Sequence, residues 1–466
     1  MKYGLEMSNG ESILSEERPV RRNRRRLRPY HIVLAALVIL VGGYGLLRWK
    51  LKSQLQRRMD AIRAAGYPIT CAELDKWYSI PNDVENAADV ILDATQYYAA
   101  PNKPELMPVV GQAELPGRTE PLSEETRQLI GQYLAQNKRA LELLGKAASI
   151  EHSRYPIDLS AGFAARMPYL GEIRGAARLL LLDAFWHVQN NEGEEAMEAV
   201  VSIFGVARTL AKEPLIISQL FRFTCESIGV SAIERVVNRM ELGDEQLAKL
   251  SETCAQGEYE SDLLRGFVGE RCAVFEALRD PDGVGPQALG SPRSMGLLYG
   301  AYRAMGLTDK GATIYLDLMD GLFDALRLPE QERIKAAETT DAELQDVPKI
   351  YVMLHMLMPA HSRIFQVSLN NIARLRTVRA GLAIERYRLA NGKLPENLAE
   401  LVPAYLDAVP KDPFDGQELR YKRLEKGYVV YSVGEDGSDN GGKERLPESK
   451  RTGGKENWDV TFIVER

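Results

Sequence analysis

The sequence predicts a mainly α-helical protein with a small α+β domain at its C-terminus and a single N-terminal transmembrane helix. Three observations lead there. Ile32 to Leu47 contains no charged side chain, and an apolar run of that kind with aromatic flanks is a membrane span. From Ser123 to about Leu328, apolar residues recur at helical spacing. Past Gly392 the pattern changes to short alternating runs, separated by Asp-Pro and Gly-Asp turn chemistry.

The 466 residues leave room for several segments, and 45% hydrophobic with 27% charged residues is ordinary globular composition. Residues 1–29 read as a disordered basic cytoplasmic tail, with the arginine run Arg21 to Arg28 inside it. Residues 30–49 are the anchor, bounded by Tyr30 and Trp49. Arg48-Trp49-Lys50 follows where a cleavage site would need small residues, so the anchor is expected to stay uncleaved. Basic residues flank both ends of the span. The arginine-rich tail tips the expectation toward a cytoplasmic N-terminus, with the bulk of the chain extracytoplasmic at a bacterial inner membrane. Eleven basic but only four acidic side chains precede Ser53, so the acidic remainder argues against nucleic acid as a partner.

Residues 50–122 form a juxtamembrane segment rich in proline, interrupted by a short helix around Asp83 to Ala99. Residues 123–328 form the helical domain, an α-helical bundle or irregular helical repeat. Ser123 caps its first helix, with Glu124 and Glu125 in the first turn. Helices are expected at 123–148, 169–190, 193–212, 215–240, 244–257, 259–279, 292–305 and 311–328, with stops such as Asn190-Asn191-Glu192-Gly193 and Asp280-Pro281-Asp282-Gly283. Residues 329–361 read as an acidic linker, mobile or a loosely docked helix, followed by the Met-rich docking stretch Ile350 to Met358. Nine residues are too few to cross a bilayer.

No catalytic motif emerges from this region. His187 beside Trp186 reads as a packed, hydrogen-bonded histidine, and His355 and His361 lack the i, i+4 spacing of a helical metal pair. Arg174, Arg178, Arg208 and Arg222 read as surface-paired cations, with a groove lined by them as the alternative. Cys71, Cys225, Cys254 and Cys272 have no metal-ligand spacing and read as buried thiols, with a Cys254–Cys272 bridge left open for an extracytoplasmic location.

Residues 362–466 carry the densest signals. A long helix from Ser362 ends at Asn391-Gly392, with Leu375, Val378, Leu382, Ile384 and Leu389 on its apolar side. Pro395 opens a short helix, Asp412-Pro413-Phe414 makes a turn, a hairpin turns around Glu425-Lys426-Gly427, and Val460 to Val464 adds a third antiparallel strand. This order, with Tyr387, Tyr421, Tyr431-Ser432-Val433-Gly434-Glu435-Asp436-Gly437 and Asp459, resembles the C-terminal domain of the major pseudopilin of type II secretion systems. The resemblance covers the last part of the chain only. Pro29-Tyr30-His31-Ile32-Val33 lacks the Gly-Phe and Glu of a pseudopilin signal, so processing into a pilus subunit is not expected.

The resemblance implies a calcium ion in the Gly/Asp loop, with Asp436 and Asp459 as side-chain ligands and Asp439 as a third candidate. Calcium takes ~6–8 oxygen ligands, which carboxylates and carbonyls of such a loop supply. A solvated Asn/Asp/Gly loop without an ion is the alternative left open by the residues alone. An insert with five basic side chains, Lys443 to Asn457, separates the loop from Asp459. The expected function is a non-enzymatic, membrane-anchored envelope protein with protein partners, associated with secretion or envelope assembly. The alternative is an extracytoplasmic hydrolase or ligand-binding protein with its site in the helical domain.

Overall fold

Pro29, which needs no N–H partner in a first turn, opens helix α1 (Pro29–Ala64). The computed structural model describes residues 29–259, 263–279, 295–358, 360–445 and 457–466. The basic tail, the Asp280–Gly283 break and most of the 443–457 insert lie outside the described residues. Met1–Ser53 forms one unit and Gln54–Arg466 a second.

In the first unit the apolar side chains of α1 have no protein cover: Ile39 is 73% and Leu40 72% exposed. Each would gain ~1.5–3 kcal/mol on leaving water. The helix is long and apolar enough to cross a membrane, and none of its most apolar stretch is buried.

The second unit begins with the end of α1, where Leu55 and Met59 are buried. Helix α2 (Cys71–Trp77) starts with a reciprocal capping box between Thr70 and Glu73, and α3 (Ala87–Thr95) is capped by Asn86. Ser123 caps α4 (Glu124–Gln136) as expected, its hydroxyl accepting the Thr126 N–H. The helix expected over 123–148 is divided, because α5 (Lys138–Ser149) begins after Asn137. The buried Asn137 side chain accepts the Ala99 N–H at 3.0 Å and donates to the Tyr133 carbonyl at 2.8 Å. Serving the end of the preceding loop fixes the break.

The helices α6 (Tyr169–Asn190), α7 (Gly193–Arg208) and α8 (Ile216–Arg239) pack against one another, and α9 (Asp244–Tyr259) and α10 (Leu264–Arg279) extend the bundle. Asn191 ends α6 in the left-handed region, at φ 61°. Helices α11 (Met295–Ala304) and α12 (Leu307–Arg327) follow.

Of the two readings of the acidic stretch, mobile linker or docked helix, the structure shows the helix, α13 (Glu330–Asp346), with Ala337, Thr340 and Leu344 buried. Two buried apolar side chains, Ala337 and Leu344, give little periodicity to read. Its Asp341 accepts the N–H groups of His361 and Ser362, both at 3.0 Å, and so caps α15 (His361–Asn391) from another helix. Burial alone would raise the Asp341 carboxyl, but the hydrogen bonds from His361 and Ser362 bring it down to about 2. Between them lies the six-residue α14 (Val352–Leu357).

Helix α15 packs against α8, α9 and α13, and also against the sheet. Strands β1 (Arg420–Arg423), β2 (Tyr428–Ser432) and β3 (Val460–Val464) are antiparallel in the order β1-β2-β3, with Tyr421 opposite Val430 and Val430 opposite Phe462. All five residues of β2 are buried, so both sheet faces are covered. Leu375, Val378, Leu382 and Ile384 are buried as expected, whereas Leu389 is exposed beyond the sheet's cover.

Candidate functional site

The loop after β2 is positioned by Asp412, which is buried on the Asp-Pro-Phe turn. Its carboxylate accepts the Phe414 and Val433 N–H groups at 3.0 and 2.9 Å, the Ser432 hydroxyl at 2.8 Å, and Arg420 at 2.7 Å. Burial outweighs these bonds and raises its carboxyl above the usual range. The turn and the start of the loop are thereby one structure.

From Gly434 the chain turns through Gly437, Gly441 and Gly442, all at positive φ. At Gly442 the backbone crosses the sheet so closely that a Cβ would lie 2.9 Å from a Val429 methyl. Asp459, buried at the start of β3, closes the loop. It accepts the N–H groups of Asn440, Gly442 and Lys443 at 3.2, 2.7 and 3.2 Å. Asp436 accepts the Ser438 N–H at 3.0 Å.

The structure brings Asp436 and Asp459 together. The Asn440 side-chain amide stands between them, 3.4 Å from an oxygen of each. Asp439 faces another way. It accepts the Gly441 N–H at 2.9 Å and lies beside Tyr431. Burial first, and then Asp439, push the Tyr431 phenol up to about 12. Among the described residues no three His, Cys, Asp or Glu side chains group as metal ligands. The donors facing Asn440 are nevertheless all oxygen, two carboxylates and the Ser438 carbonyl, and the amide would add its own oxygen on turning over.

A second polar cluster lies in the helices. Glu213 is fully buried and accepts hydroxyls from Ser218, Tyr169 and Tyr78 at 2.5, 2.6 and 3.5 Å. Burial raises its carboxyl. Arg222, also fully buried, donates to Gln219 and to Glu226, which in turn accepts the Asn371 amide of α15 at 2.6 Å. These groups face one another in the interior and tie Tyr78, α6, α8 and α15 together. An open pocket of about 270 Å³ beside the hairpin is lined by Glu385, Arg388, Lys393, Tyr428 and Arg466. Glu385 accepts from both arginines.

The remaining sequence candidates take separate places. His187 binds Glu192 at 2.7 Å, as a packed hydrogen-bonded histidine should. His355 meets the Val347 carbonyl, and His361 is buried against the Phe267 ring. Arg208 donates to the Ala148 carbonyl at 2.7 Å, while Arg222 is interior and not surface-paired. Arg174 and Arg178 are exposed. All four cysteines are buried and free, and Cys254 and Cys272 are not bridged.

Sequence reasoning missed Asn440 and the clamp on the sheet edge. The Glu234 carboxylate accepts the Ile463 N–H at 2.8 Å, and Asn238 donates to the Ile463 carbonyl and accepts the Glu465 N–H, both at 2.7 Å. Two side chains one turn apart on α8 thus occupy the free edge of β3, which would otherwise offer unpaired backbone. Comparison with protein-family models, with curated proteins and with solved structures finds no match for the chain.

Proposed function

We propose that the protein is a single-pass, non-enzymatic scaffold of the bacterial cell envelope whose terminal domain is stabilised by calcium. In this reading α1 spans the inner membrane with the N-terminus cytoplasmic. The helical region presents surface to protein partners of a secretion or envelope assembly. The observation that carries the calcium reading is the meeting of Asp436 and Asp459 across the Asn440 amide. Asp436 and Asp459 would hold the ion, with Asn440 and the Ser438 carbonyl completing the protein donors. Calcium there supplies a double positive charge that ties the loop after β2 to the start of β3. Resemblance of the Tyr-Ser-Val-Gly-Glu-Asp-Gly passage to pseudopilins supports the same assignment.

The test is a thermal melt of the full chain in detergent, with calcium and with chelator. Binding to the native state alone stabilises by about 2.7 kcal/mol at a hundredfold excess over the dissociation constant. Wild type should melt several degrees higher with calcium, and Asp436→Ala should melt alike in both conditions. Coincident wild-type melts would remove the ion from the proposal.

A further inference from the structure

The open pocket beside the hairpin is lined by Glu385, a side chain only 1% exposed. Its Oε2 accepts Arg388 Nε and Nη2 at 3.1 and 2.9 Å, and Arg466 Nη2 as well. Its Oε1 is also buried, but accepts no hydrogen bond among the described residues. The Tyr428 hydroxyl lies beside Glu385, yet donates to the Gly381 carbonyl at 2.9 Å. A buried carboxylate oxygen without a donor is costly, and an N–H brought in by a ligand would recover that cost.

The rest of the lining offers the complementary chemistry. Arg388 commits Nε and Nη2 to Glu385, which leaves Nη1 for a ligand carboxylate. The exposed Lys393, which also faces Glu400, borders the same space. Gly392 ends α15 at φ 66° and is part of the lining, so the negative end of that helix borders the pocket and favours an ammonium. Leu394 and Val464 add apolar surface. At about 270 Å³ the pocket is smaller than the usual ~300–1,000 Å³ of sites for drug-sized ligands.

We infer that this pocket binds a small apolar α-amino acid, its ammonium donating to Glu385 Oε1 and its carboxylate meeting Arg388 and Lys393, with the side chain against Leu394 and Val464. An anion without an ammonium would leave Oε1 without a donor. An amine without a carboxylate would make no use of Arg388 Nη1 and Lys393. Only a zwitterion satisfies both ends of the lining.

The inference is independent of the calcium reading, so the test is run with chelator. Isothermal titration calorimetry of the full chain in detergent compares L-valine with isovalerate, which lacks the ammonium, and with isobutylamine, which lacks the carboxylate. Valine should bind roughly tenfold or more tightly than either, because each analogue loses one charge-assisted contact. Lys393→Ala, at an exposed position, should melt like wild type and bind valine several-fold more weakly. Glu385→Gln should lose the preference for valine over isovalerate. If Glu385→Gln does not fold, the analogue series and Lys393→Ala still decide. No binding of valine to wild type would overturn the inference. Equal affinity for isovalerate would mean a plain anion site, and unchanged valine binding by Lys393→Ala would put the ligand elsewhere; either result overturns it too.

Discussion

His187 shows how a single side chain can report on the helical region. It sits between Asp183, 3.5 Å from one ring nitrogen, and Glu192, 2.7 Å from the other. The hydrogen bond to Asp183, reinforced by Glu192, outweighs burial and pushes the imidazole up to about 9. A raised histidine contributes stability that is fully present below its unfolded value, near 6.5, and is lost as pH rises through about 9. Glu192 is 45% exposed, so solvent screening reduces the contribution to roughly 1 kcal/mol. Wild type should therefore lose about that much more stability than His187→Gln between pH 6 and pH 9.5 in urea titrations. Parallel losses in the two proteins would show that the imidazole is not held by its carboxylates. Asp412 acts in the same sense, in the carboxylate range. Its carboxyl is raised by burial, so it favours the folded state less as pH climbs from its unfolded value through the folded one. Its worth lies in the four donors it gathers at one turn.

The elements meet through glycines that leave no room for a methyl group. At Gly381 on α15 a Cβ would stand 2.3 Å from the Phe462 ring of β3. Gly381→Ala gains ~1 kcal/mol of helix propensity but overpacks a buried contact at a cost of ~1–3 kcal/mol. Gly145 on α5 has nothing within 4 Å of its Cβ position, so Gly145→Ala should show the propensity gain alone. Denaturant midpoints should thus move down for the first and up for the second, and an upward shift for Gly381→Ala would mean the sheet is not seated on α15. This close contact is also where the sequence stops being legible. Many helix positions, the caps and the hairpin could be read because Ser123, Asn191 and the turn at Gly427 act through local chemistry, whereas the alternation expected along Tyr428–Ser432 is absent, since both faces of that strand are buried. The Asp-Pro-Phe passage read only as a turn, since nothing local shows that Asp412 reaches Ser432 and Val433. The break at Asn137 and the docking of Glu330–Asp346 depend on partners distant in sequence, Ala99 and His361. Of the three aspartates picked from the loop, spacing could not tell that Asp439 turns to Tyr431 while the other two converge.

At the scale of the whole molecule, the hairpin and the helices share structure that does not divide at the sequence boundary before Ser362. Gln54–Arg466 is one compact unit. Helix α15 is buried between β2 and β3 on one side and α8 and α9 on the other. Phe462 and Tyr428 belong to the same core cluster as Leu179 to Leu182. The edge of β3 has no free backbone at Ile463, because Glu234 and Asn238 of α8 take both its groups. Opening the sheet would therefore expose the apolar face of α15 and strand buried polar groups on α8. An unsatisfied buried group costs ~1–3 kcal/mol, so partial opening should lie no lower than global unfolding. Native-state hydrogen exchange of the full chain in detergent tests this. The amides of Tyr428–Ser432 and of Leu179–Leu182 should open with the same free energy and the same denaturant dependence. Asn238→Ala should lower both together. If β2 opened several kcal/mol before α6, the terminal domain would be an independent module that only rests on the helices, and the shared core would not be a unit of folding.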